Sequence, residues 1–103
     1  MKIGVTLDTR ARKTDGTYPV KISVALHGTR AFIPLDVSVT REQWRGGRVV
    51  QHPNADRLNN YIGQRFLEVQ TAFLELRTAG AFKGMRTAAQ AKDAIIARLH
   101  PDE

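Results

Sequence analysis

The chain has 103 residues, no cysteine, a net charge of +6 and a pI of about 10.3. That length sets one domain, and 42% hydrophobic with 25% charged residues excludes a disordered chain. Disulfide frameworks and thiolate metal sites are excluded by the missing cysteines, a spanning helix by the lack of any run near roughly 18 apolar residues, and a signal peptide by the short apolar stretch of MKIGVTLDTR.

Ile3, Val5 and Leu7 alternate with Lys2, Gly4, Thr6 and Asp8, which predicts a first strand. A polar loop, Arg10 to Thr17, contains the turn pair Asp15-Gly16. Val20, Ile22, Val24 and Leu26 then alternate with Lys21, Ser23, Ala25 and His27. After His27-Gly28 the alternation resumes, with Ala31, Ile33, Leu35 and Val37 against Arg30, Phe32, Pro34 and Asp36. A period of two on both sides of a glycine turn predicts a hairpin with one apolar and one polar face. The polar face carries Lys21, Ser23, His27 and Arg30 and suits a wet, anion-facing surface. Pro19 belongs at a strand end or free edge, and Pro34 predicts an edge strand or a bulge.

Thr40-Arg41-Glu42-Gln43 has the form of a capping box and predicts one short helical turn ending near Trp44, a large aromatic suited to plugging the end of the sheet. Arg45-Gly46-Gly47-Arg48 reads as a flexible turn, and Val49-Val50 as a short extended piece. Asn54 or Asp56 can cap a long helix running to about Thr78. Its apolar residues Leu58, Ile62, Phe66, Val69, Phe73 and Leu76 recur at three- and four-residue steps. Gly80 suits its C-terminal cap, and the stripe is the natural cover for the sheet. Residues 81–86 connect to a second capping box at Thr87-Ala88-Ala89-Gln90. A smaller helix follows to about Leu99, ended by Pro101-Asp102-Glu103. The predicted fold class is α+β: a three-stranded antiparallel sheet packed on one long helix, with a short helical turn and a smaller C-terminal helix.

The charge is uneven. Residues 1–50 hold nine Lys/Arg against four acids, and residues 51–103 hold seven against six. The strand-rich half thus carries most of the excess, as expected if the sheet faces a polyanion. No catalytic constellation is legible: His27, His52 and His100 are far apart, and nothing pairs a nucleophile with a base. The chain is read as non-catalytic, with no cofactor and no metal.

Several segments taken together resemble the N-terminal arm-type DNA-binding domain of tyrosine recombinases, the integrases of phages and conjugative elements. They are Asp15 to Val20, the alternating strand, Arg30-Ala31-Phe32-Ile33-Pro34, Thr40 to Trp44, His52-Pro53 and the long helix with Leu58-Asn59. The resemblance spans nearly the whole chain and rests on the order and spacing of the set. It departs at Leu35-Asp36, where many relatives carry Thr-Gly.

The resemblance implies that the free sheet face binds arm-type double-stranded DNA in the major groove. The domain would then tether a recombinase whose catalytic domain lies beyond residue 103. Lys2, Arg10, Arg12 and Lys13 would contact phosphates, and Lys21, Ser23, His27 and Arg30 would contact base edges. Residues 1–80 would form the DNA-binding unit, and residues 81–103 a connector and helix toward a core-binding domain. The implied partners are duplex DNA and, in the full-length protein, other recombinase subunits, with no membrane. The isolated domain would be a monomer, and the location cytoplasmic, on the nucleoid. Two other readings stand beside this one. A protein–protein module would use the sheet edge. RNA binding needs exposed aromatics for stacking, and Phe32 is the one candidate.

Overall fold

A computed structural model of the chain describes residues 1–101; the Asp102-Glu103 end of the expected helix stop lies outside the described residues. Three strands form one antiparallel sheet in the order β1 (Lys2–Leu7), β2 (Tyr18–Leu26) and β3 (Thr29–Val39). A 3-10 turn follows (Arg41–Gln43), then a small hairpin of β4 (Trp44–Arg45) and β5 (Arg48–Val49). Two helices complete the chain, α1 (Ala55–Thr78) and α2 (Ala88–Leu99). The fold is α+β, with the expected sheet, short turn, long helix and smaller helix.

β2 and β3 are joined through His27 at φ 48° and Gly28 at φ 78°. A two-residue turn with positive φ at both positions matches the twist of the strands it connects. His27 therefore sits in the turn, off the polar face to which alternation alone had assigned it. Pro34 lies on an edge strand, where its missing N–H leaves no ladder bond unmade. It also borders a bulge. The pairing steps from Val20↔Val37 to Lys21↔Pro34, so Leu35 and Asp36 are extra residues on β3. Side chains in a strand alternate with a period of two, and two extra residues preserve that parity. Ile33, Leu35, Val37 and Val39 all stay on the buried face as a result. Asp36 takes φ 59° in this bulge, a conformation that glycine holds without strain.

Val20, Ile22 and Val24 are 0% exposed, and Leu26 is buried beside them. They join one cluster with Ile62, Val69, Ala72 and Phe73 of α1 and with Ala88, Ala91 and Ile95 of α2. The sequence gives α1 as the cover for the sheet. In the structure the cover is shared, and α2 meets β2 and β3 more extensively than α1 does. Ala88 and Ala91 have small side chains, which let the helix backbone come close to the strands while Ile95 fills the space between. α2 is also tied to the hairpin by Thr29. Its hydroxyl accepts from the Ala88 N–H at 2.8 Å and donates to the Leu26 carbonyl at 2.7 Å.

The helix ends follow local chemistry. Gly80 has φ 73°, the Gly80 N–H donates to the Arg77 carbonyl, and the Ala81 N–H donates to the Leu76 carbonyl, which is the Schellman closure of α1. Thr87 and Gln90 form the expected capping box at the start of α2. The segment read as a flexible turn, Arg45 to Arg48, is instead the tip of the β4–β5 hairpin. That hairpin is anchored to α1 by Asn59, whose side chain accepts from the Val49 N–H at 2.8 Å and donates to the Val49 carbonyl at 2.9 Å. Trp44 is half-buried against the core.

Ile95 is 0% exposed, so Ile95→Ala is expected to cost about 2–5 kcal/mol of stability, measured by urea unfolding. An unchanged unfolding midpoint would mean that α2 is not part of the core.

Candidate nucleic-acid interface

The register decides which side chains share the open face of the sheet. Lys2 lies opposite Ala25, Gly4 opposite Ser23, and Thr6 opposite Lys21 on one side of β2. On the other side Arg30 lies opposite Ala25, Phe32 opposite Ser23, and Pro34 opposite Lys21. Directly paired residues point to the same face. The open face thus has three rows: Lys2–Ala25–Arg30, Gly4–Ser23–Phe32 and Thr6–Lys21–Pro34. The alternate residues Ile3, Val5 and Leu7 pack against the core.

Of the sequence-predicted site residues, Lys2, Lys21, Ser23 and Arg30 share this face. Ser23 Oγ donates to the Gly4 carbonyl at 3.3 Å, and its lone pairs remain free to accept. His27 is exposed at the hairpin tip. Arg12 and Lys13 belong to the loop between β1 and β2. This loop is ordered by its own hydrogen bonds: the Lys13 N–H donates to the Thr17 carbonyl, and the Gly16 N–H to the Lys13 carbonyl. The Asp15 carboxylate accepts from the Thr17 hydroxyl at 2.6 Å and from the Thr17 N–H at 3.0 Å, and these two bonds lower its pKa, the hydroxyl most.

Arg10 differs from its loop neighbours. Its side chain folds back onto the sheet, where the guanidinium lies 4.8 Å from the centroid of the Phe32 ring. The anchor is Asp8, which continues β1 by donating its N–H to the Pro19 carbonyl at 2.9 Å. Asp8 is 6% exposed and is the one buried charged residue among the described residues. Its carboxylate accepts from the Arg10 backbone N–H and from Arg10 Nε, both at 3.1 Å, and from Lys21 Nζ at 2.9 Å. Lys21 Nζ is also 5.8 Å from the Phe32 centroid.

The Arg10 hydrogen bond first, and the Lys21 hydrogen bond next, hold the Asp8 carboxyl well below the usual carboxylate range, against the opposing effect of burial. The same contact raises the Arg10 pKa. Phe32, which alternation placed on the open face, lies there half-buried beneath two cations.

A hollow of about 300 Å³ opens over this cluster, with Thr6, Asp8, Arg10, Ser23, Arg30 and Phe32 among its lining. Lys2, Arg10, Lys21 and Arg30 against Asp8 give the face a local charge of +3. Among the described residues, Lys2, Arg12, Lys13 and Arg30 have no ion-pair partner. The sequence reading missed the part played by Asp8. The available signal was its alternation with Thr6 and Lys2, which puts it on the side of Lys21. No group of acids and histidines able to hold a metal ion occurs among the described residues. No described helix is long and apolar enough to cross a membrane.

A small α+β domain with one buried and one open, cationic sheet face is the class of structure defined here. Residues 5–90 match the Arm DNA-binding domain family, and the chain belongs to that family, the arm-type domain found in tyrosine recombinases and integrases. The family is a non-catalytic, DNA-binding module in such proteins. No curated protein and no solved structure matches the chain.

Because the folded-state pKa of Asp8 is depressed, its ion pairs stabilise the fold fully above the unfolded pKa of about 3.9. That contribution is lost as pH falls below about 4 toward the folded value. Asp8→Asn is therefore expected to be less stable than the parent at pH 7, with the gap narrowing steadily below about pH 4. Urea unfolding of both proteins across this range measures it, and a gap that is constant with pH would contradict it.

Proposed function

We propose that the open face of the sheet binds double-stranded DNA in the major groove with sequence preference, and that the domain tethers a site-specific recombinase to arm-type sites. The observation that carries this reading is the cationic face itself, in a chain that belongs to the Arm DNA-binding domain family. Three strands spaced about 4.8 Å apart put about 10 Å between the outer two. A major groove is about 12 Å wide, so the face has the right scale to enter it.

Division of labour follows from position. Lys2, at the start of β1, and Arg12 and Lys13, on the loop, suit contacts to the flanking phosphates. Lys21 and Ser23, on the central strand, and Arg30, on β3 across Ala25 from Lys2, suit base edges. His27, at the hairpin tip, reaches the end of the groove or the adjoining backbone. Duplex DNA is favoured over stacked single-stranded RNA because Phe32 is covered by Arg10 and offers no open ring for a base. In the full-length protein the partners would include other recombinase subunits. The isolated domain would act as a monomer in the cytoplasm, on the nucleoid.

Binding of the domain to a duplex is expected to weaken with salt by about 0.9 log unit per log unit of salt for each phosphate neutralised. Arg30→Ala is expected to cost about 1–3 kcal/mol on a preferred duplex and much less on a shuffled one. Arg12→Ala is expected to weaken both by similar factors and to lower the salt slope by about one contact. Fluorescence anisotropy at several salt concentrations measures all three. No binding at low salt, or a flat salt response, would instead favour a protein-interaction module that uses the free edge of the sheet.

A further inference from the structure

Arg10 reads from sequence as one more loop cation for phosphates, yet the fold gives it a different environment from Arg12 and Lys13. Its backbone N–H and Nε both donate to the Asp8 carboxylate, and Nη2 lies within 3.4 Å of the other carboxylate oxygen. The guanidinium is held over the ring of Phe32, which lies opposite Ser23 in the central row of the open face. The side chain is nevertheless 71% exposed. Asp8 occupies the edge formed by Nε and Nη2, which leaves the edge formed by Nη1 and Nη2 facing away. Two parallel N–H donors at fixed spacing are what the O6 and N7 acceptors of guanine require.

The acid itself is informative. A carboxylate on a face that meets a polyanion subtracts from long-range attraction. Asp8 also draws Lys21 into the same contact at 2.9 Å, so the three groups together carry a single positive charge. What this arrangement supplies is geometry: two cations fixed around one aromatic ring, with much of the arginine's rotamer freedom already lost on folding.

Resting on the DNA-binding reading above, we propose that Arg10 is a base-reading residue of the open face, with guanine as its target, and that Asp8 and Phe32 are positioning residues that hold it. Asp8 is too buried to touch DNA and acts through Arg10 and Lys21.

The test begins with selection of a preferred duplex from a randomised pool by the wild-type domain. Dissociation constants of wild type, Arg10→Lys and Asp8→Asn are then measured on the selected duplex and on a shuffled duplex of equal length, at one salt concentration. Thermal melting establishes that each variant is folded. Arg10→Lys keeps the charge and removes the planar fork. It is expected to weaken the selected duplex by about tenfold or more and to change the shuffled one by no more than about twofold.

Asp8→Asn raises the charge of the face by one and loosens Arg10. It is expected to weaken the selected duplex while tightening the shuffled one. Charge alone would tighten both, and a general loss of structure would weaken both. Equal effects of Arg10→Lys on the two duplexes, or none on either, would overturn the proposal even if Asp8→Asn failed to fold. Wild-type domain that binds neither duplex in a salt-dependent way would overturn the DNA-binding reading itself, and this proposal with it.

Discussion

Everything in this domain depends on the two-sidedness of β2. Its even-numbered residues Val20, Ile22, Val24 and Leu26 are buried, and its odd-numbered residues Lys21, Ser23 and Ala25 face outward. Burial of apolar surface at about 25 cal/mol per Å² drives the first set inward, and the period of two leaves the second set no alternative. Both neighbours must keep the same phase. β1 does so without interruption. β3 does so through a bulge with an even number of extra residues, at the cost of putting Asp36 in a left-handed conformation. A single extra residue would have turned part of β3 inside out. The core and the open cationic face are thus two consequences of one register.

The outward face combines free cations with cations held in place by a buried acid. Lys2, Arg12, Lys13 and Arg30 form no ion pair among the described residues and supply attraction that salt will screen. Asp8 works in the opposite sense. It is buried, satisfied by two cations, and held ionised by them. Its cost in net charge is offset by fixing where those cations sit. The loop after β1 therefore has two kinds of arginine: Arg12, on the loop, and Arg10, folded back over Phe32.

Much of this was legible in the sequence, because the signals were local. The alternation of residues 18–37, the His27-Gly28 turn, the capping residues Thr40 and Thr87, and Gly80 each specify backbone geometry within a few positions. What could not be read depended on distance. Ala88 and Ala91 carry little apolar area, so nothing in α2 announced that it would approach the sheet so closely. Its importance comes from close backbone approach and from Thr29, which is 59 residues away from Ala88. Asn59 was visible only as part of a family-like pattern until its two bonds to Val49 appeared. The link from Asp8 to Lys21 spans 13 residues and requires the register to be known. The turn that brings Arg10 back over Phe32 required the path of the loop.

The open face of the sheet, and not either helix, is the surface proposed to meet DNA. Amide and side-chain NMR shifts of the domain, followed as a duplex is added, test it directly. The largest changes are expected at Lys2, Gly4, Thr6, Arg10, Lys21, Ser23, Arg30 and Phe32, with the buried residues of β2 little affected. Changes confined to the exposed side of α1 around Leu67 and Leu74, with the sheet silent, would contradict it.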